Sequence, residues 1–174
     1  MNSERILFLD LETTGLGKDA GVVEVGIIDA DGETVFHSLV NPFPILEWPK
    51  AEELHGLGPQ RVKHAPLFHE LIPAVFRIIN GSTLVIYNAA YDTKYFPTEV
   101  LAACAHIRCA MIRFSSLKGE LTEWGSYKWW KLFEASKIAG YVSEDGVRHR
   151  VIGDCKATRA VWRYCERREG FLGD

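Results

Sequence analysis

The 174-residue chain has no apolar run long enough to span a bilayer; runs such as residues 6–9 and 84–87 are far too short. Its first ten residues, MNSERILFLD, show no basic stretch leading into an apolar run with a small-residue cleavage site, so no signal peptide is expected. Cysteine is scarce. Cys104, Cys109, Cys155 and Cys165 form no C-x-x-C pair, which excludes the usual zinc and redox spacings. They read as free thiols in a reducing compartment, and a cytoplasmic protein without a membrane partner is expected. No repeat, low-complexity segment or Pro/Gly/Ser-rich linker interrupts the chain, so residues 1–174 read as a single domain. No glycine-rich phosphate loop opens the first helix, which argues against a flavodoxin-like binder.

What is present is an ordinary globular mix, 47% hydrophobic and 25% charged. The net charge of -3 hides an asymmetry. Residues 1–33 carry eight acidic and two basic groups, and residues 148–169 carry seven basic and three acidic. That division suits metal ions and a polyanion sharing one surface, and it equally suits two solvated faces of opposite sign.

Hydrophobic periodicity predicts strands at 5–11, 20–29 and 34–40, the last two joined by an Asp31-Gly32 turn. Residues 41–49 hold three prolines and read as loop, with two short helical pieces around Pro59 and Pro66. Helix is expected at 67–79, strand at 83–87, helix from Asp92 to about residue 106, and a short strand at 107–111. Residues 117–126 read as a surface loop, 127–139 as helix, 143–146 as a turn and 152–168 as the last helix. Three hairpin-connected strands followed by alternating helix and strand indicate an α/β domain with a central sheet covered by helices on both faces.

The acids stand out against this frame. Asp10 and Glu12 lie two apart near the end of the first strand, so both project from one face, about 6.6 Å apart along the chain. Such a pair repels itself unless a divalent cation or water relieves it. Thr13, Thr14, Gly15, Leu16 and Gly17 follow, a turn whose amides and hydroxyls can approach a phosphate or sugar, or simply a turn. Asp92 stands where the fourth strand gives way to a helix, either as a helix N-terminal acid or as a third ligand. Asp154 falls in the first turn of the last helix, with His149 five residues before it in the preceding, more mobile segment. That imidazole titrates near neutral pH and suits proton transfer from water; a surface histidine and a capping aspartate would look the same. Trp124, Trp129 and Trp130 cluster with Tyr127, Lys128 and Lys131, fit to stack bases or to fill a core.

Three stretches together carry a resemblance. FLDLETTGL at 8–16, YNAAYD at 87–92 and HRVIGD at 149–154 resemble, in order and separation, the three motifs of the DEDDh, or DnaQ-like, 3′-to-5′ exonucleases. That family includes the proofreading epsilon subunit of bacterial replicative polymerase, exonuclease X and ribonuclease T. Residues 51–62, AEELHGLGPQRV, resemble the family's His-Gly segment, and the likeness runs over roughly residues 5–165. Tyr87 stands where the family usually has His, Tyr91 where it has Phe, and Val151 and Cys155 where Ala is usual. These departures remove no ligand and bear on substrate preference.

The resemblance implies a ribonuclease H-like fold with a mixed five-stranded central sheet. It implies that Asp10, Glu12, Asp92 and Asp154 hold two divalent cations, Mg2+ or Mn2+, with His149 as general base. It implies release of 5′-mononucleotides from single-stranded or frayed 3′ ends, DNA being favoured over RNA. Thr13, Thr14, Gly15, Leu16, His55, Asn88 and Tyr91 would line the pocket for the terminal nucleotide, Leu16 as a wedge. Partners would be single-stranded DNA or RNA 3′ ends, with a polymerase or other nucleic-acid enzyme as a further candidate. An exoribonuclease, an endonuclease of the same fold and a non-catalytic nucleic-acid-binding module are the competing readings. The oligomeric state is left open by the sequence.

Overall fold

A computed structural model describes residues 5–142 and 149–170. The turn expected at 143–146 lies outside them. β1 (Ile6–Thr13), β2 (Val22–Asp29) and β3 (Thr34–Leu39) form an antiparallel meander; β4 (Thr83–Ile86) and β5 (His106–Cys109) add in parallel, giving the order β3-β2-β1-β4-β5. Between them run α1 (Pro49–His55), α2 (Pro59–Val62), α3 (Phe68–Ile79), α4 (Ala89–Asp92) and α5 (Thr98–Ala102). α6 (Ala110–Lys118), α7 (Leu132–Ile138) and α8 (Val151–Gly170) follow β5. Among the described residues no helix is long and apolar enough to cross a membrane.

Side-chain alternation divides β1 between two cores. Leu7, Leu9 and Leu11 pack with Val25, Ile27 and Ile86 against Val75 and Ile79 of α3 and Val100 of α5. Phe8 packs on the other face with Ile28 and Val85 against Phe114 of α6, Ala135 of α7 and Cys155, Val161 and Trp162 of α8. Helices therefore cover both faces of the mixed sheet. Asp10 and Glu12 share the parity of Phe8, so the fold turns them toward α8.

One glycine sets how closely α8 approaches. Gly26 pairs with Asp10 across the β1–β2 ladder. A Cβ at that position would stand 2.6 Å from Val151 Cγ2 and 3.1 Å from Ile152 Cδ1. Its absence lets the first turn of α8, which carries Asp154, lie against the strand. Gly26→Ala is expected to cost about 1–3 kcal/mol through overpacking, a drop of about 2–4 °C per kcal/mol in a chain this size. Thermal denaturation checks this; an unchanged Tm would mean that the helix yields freely there.

Four expectations need correction. The helix expected from Asp92 to about residue 106 is broken: α4 ends at Asp92, a 3-10 turn spans Thr93–Tyr95, and Phe96 is extended at φ -100°, ψ 142°. Pro97 explains the break, because its ring disfavours the helical conformation at the preceding residue. Asp92 thus closes a short helix rather than opening a long one. α6 occupies ground expected to be partly strand and partly loop. The helix expected over 127–139 starts only at Leu132, because residues 120–128 form a small hairpin. In it Lys128 N–H donates to Glu120 O at 2.9 Å and Thr122 N–H to Ser126 O at 2.8 Å.

Candidate active site

The candidate acids come from three chain segments. β1 supplies Asp10 and Glu12, the end of α4 supplies Asp92, and the first turn of α8 supplies Asp154. His149 lies just before α8, exposed, with φ at 58°. One donor atom each of Glu12, His149 and Asp154 lies within 4.8 Å of the other two, the one such group among the described residues.

Burial pushes Asp10 well above the ordinary carboxylate range, and the charges of Asp92, Asp154 and Glu12 push it further. Burial and then Asp154, Glu24 and Asp92 raise Glu12 to about 8. Asp92 rises to about 7 through burial, although backbone hydrogen bonds from Leu11 and Asp92 itself pull down. Asp154 rises to about 6 through burial, with His149 pulling down and Glu24 pushing up. A set of buried and half-buried oxygen donors whose charges oppose one another is what a hard divalent cation neutralises, so these residues fit such an ion.

Beside the acids the turn after β1 is firmly held. Tyr91 Oη donates to Gly15 O at 2.7 Å and lies 2.8 Å from Thr13 Oγ1. Thr14 closes the loop base by accepting from Gly21 N–H at its hydroxyl, 3.0 Å. His55 is buried behind Thr13. Its Nδ1 accepts from Leu57 N–H at 3.0 Å, which leaves Nε2 as the donor to Thr13 O at 3.3 Å. Burial lowers its pKa, and an Nδ1 that accepts a hydrogen bond belongs to the neutral imidazole. Leu16 stands 86% exposed at the turn, available to a ligand rather than spent in the core. Asn88 is half-buried at the start of α4. The hydroxyl that distinguishes Tyr91 from the family's Phe therefore points at the turn backbone. The tryptophans divide: Trp130 packs edge-on against Phe114 with ring centroids 5.9 Å apart, while Trp124 and Trp129 are exposed.

Two residues of this region escaped the sequence reading. Glu24, 1% exposed on β2, sits opposite Glu12 in the ladder. Arg150 donates to both of its oxygens, from Nε at 3.1 and 2.9 Å. Burial pushes Glu24 up, but the hydrogen bonds from Arg150 and His37 outweigh it and hold the carboxyl below its usual range. A single acid inside the apolar stretch VVEVGII was the available signal.

Comparison with known proteins bears on the family and the fold. Residues 7–161 match the family model RNase_T, described as exonuclease. The chain is 34% identical over 166 residues to the uncharacterized exonuclease CP81 of Escherichia phage 186, covering 89% of this chain and 84% of that protein. It is 34% identical over 106 residues to the DNA polymerase III subunit epsilon of Rickettsia typhi, covering 58% of this chain and 46% of that subunit. The chain thus spans about half the length of the epsilon subunits it matches. Exonuclease X in complex with 5′ overhanging duplex DNA superposes with a TM-score of 0.73 at 22% identity, covering 95% of this chain and 93% of that one. E. coli exonuclease I in complex with a dA16 oligonucleotide superposes with a TM-score of 0.79 at 15% identity, covering 98% of this chain and 42% of that one. These two show a shared ribonuclease H-like fold.

Proposed function

The chain belongs to the exonuclease family whose model it matches, as a DnaQ-like 3′-to-5′ exonuclease, and from that premise we propose that it releases 5′-mononucleotides from single-stranded or frayed 3′ ends, of DNA in preference to RNA. The observation that carries the site assignment is the convergence of Glu12, Asp154 and His149 donor atoms within 4.8 Å, with Asp10 feeling the charges of Asp92, Asp154 and Glu12. In this reading Asp10, Glu12, Asp92 and Asp154 hold two divalent cations, Mg2+ or Mn2+. The chemistry such cations supply when bound is a lowered pKa for the attacking water and compensation of charge on the leaving oxygen.

The chain's own groups do the rest. His149, exposed at the rim, takes the proton of the attacking water at a ring nitrogen. Leu16 lies against the terminal base, and the Tyr91 ring, steadied by Lys94 with its ammonium 3.9 Å from the ring centroid, borders the terminal sugar with Asn88. Thr13, Thr14 and Gly15 shape the turn that receives the 3′ end, and His55 supports Thr13 from behind. The preference for DNA is supported by the DNA named with exonuclease X and exonuclease I. A polymerase partner is proposed on the likeness to the epsilon subunits. The match over 7–161 supports a single exonuclease domain.

Trimming of 5′-labelled linear strands and internally labelled circular strands, of DNA and of RNA, in Mg2+ or Mn2+ tests the reading. Linear strands should shorten from the 3′ end, DNA faster, while circles stay intact. A cut circle would indicate an endonuclease, and intact strands throughout a binding module. Tyr91→Phe removes hydrogen bonds to the turn while keeping the ring. It should lower stability by about 0.5–1.5 kcal/mol and leave DNA trimming in place. Loss of trimming would give the hydroxyl a part in the reaction.

A further inference from the structure

A carboxylate buried like Glu24 is costly unless every oxygen is engaged. Here both are. Besides the Nε bonds, Arg150 Nη2 donates to Oε1 at 2.5 Å, Val151 N–H donates to Oε2 at 3.4 Å, and His37 Nε2 lies 2.8 Å from Oε1. Three of these donor groups flank one point of the chain, because Arg150 and Val151 directly follow His149. His149 is also the one non-glycine residue with positive φ among the described residues. Side chains avoid that conformation, and it persists where the surroundings fix it. The surroundings on its C-terminal side are Glu24. The same carboxylate faces Glu12 across the ladder, so one residue ties the strand that carries two acids to the segment that carries the histidine.

We infer that Glu24 and Arg150 form a clamp that sets His149 beside Glu12 and Asp154 for proton transfer. They are positioning residues, acting through His149 without touching substrate. The inference rests on the reading of His149 as general base. The plainer role is a pin that only fastens α8 to the sheet, and it predicts lost stability with an unchanged rate per folded molecule.

The test is a double-mutant cycle on the whole protein, with kcat, KM and Tm measured on a single-stranded DNA oligonucleotide. Arg150 is chosen first because its side chain is 32% exposed, so the variant should fold. Arg150→Gln is expected to lower kcat about 10- to 100-fold with KM nearly unchanged. In a His149→Ala background the same substitution should cost almost nothing further. Arg150→Lys, which keeps the charge and one donor, should recover part of the loss. Equal losses in both backgrounds, or an unchanged kcat in Arg150→Gln, would overturn the clamp alone. An unchanged rate in His149→Ala by itself would overturn the base assignment, and the clamp with it.

Discussion

Asp10→Asn is expected to abolish nucleotide release and, at pH 8 in EDTA, to raise the melting temperature. The two effects share one cause. Burial and the neighbouring acids raise the Asp10 pKa well above its ordinary value, so the folded state resists holding that charge. The sign follows from linkage. A carboxyl whose folded pKa is raised gives most stability below its unfolded value near pH 4, and that stability is lost as the pH climbs through the folded pKa. For this cluster the loss runs through about 6 for Asp154, about 7 for Asp92 and about 8 for Glu12. The cation-free protein should therefore weaken steadily from pH 4 to 8. Asparagine removes the group whose charge the folded state resists, so a higher Tm than that of wild type is expected. Adding Mg2+ or Mn2+ should stabilise the wild-type protein strongly and the variant weakly. A variant less stable than wild type in EDTA at pH 8 would mean that these acids do not strain the fold.

His149→Ala should slow trimming by about 10²- to 10⁴-fold, the usual contribution of a general base. Cation affinity should stay close to that of wild type. The second measurement matters because a His149 nitrogen lies as near to Glu12 and Asp154 as a ligand would. A large fall in Mn2+ affinity would make the imidazole a ligand, and an unchanged rate would remove it from the reaction.

The pairing of neighbouring candidate residues was legible because their spacings are local, while the gathering of all four acids came from the resemblance of the three motifs. Two acids two apart on a strand must share a face, and a histidine five residues before an acid in the first turn of a helix must lie near it. The meander of the first three strands was legible too, since alternation and the Asp31-Gly32 turn are short-range signals; the place of β4 beside β1 was not. What stayed hidden depended on distant neighbours. Glu24 and Arg150 are 126 residues apart, and neither one announces the other. Phe96 is extended because of Pro97, a local cue outweighed by the apolar pattern after it. Residues 127–131 have helical composition, yet Tyr87 Oη donates to Trp130 O at 2.7 Å and the hairpin partner takes the Lys128 amide, so the backbone there is already engaged. Gly26 looked like any strand glycine until Val151 was placed over it.

The most direct test of the central assignment is anomalous diffraction from crystals grown with Mn2+ and a nucleoside 5′-monophosphate. Two manganese peaks bounded by Asp10, Glu12, Asp92 and Asp154, with the phosphate against them and His149 facing it, are the predicted result. Manganese bound elsewhere, or a nucleotide held away from these acids, would contradict it.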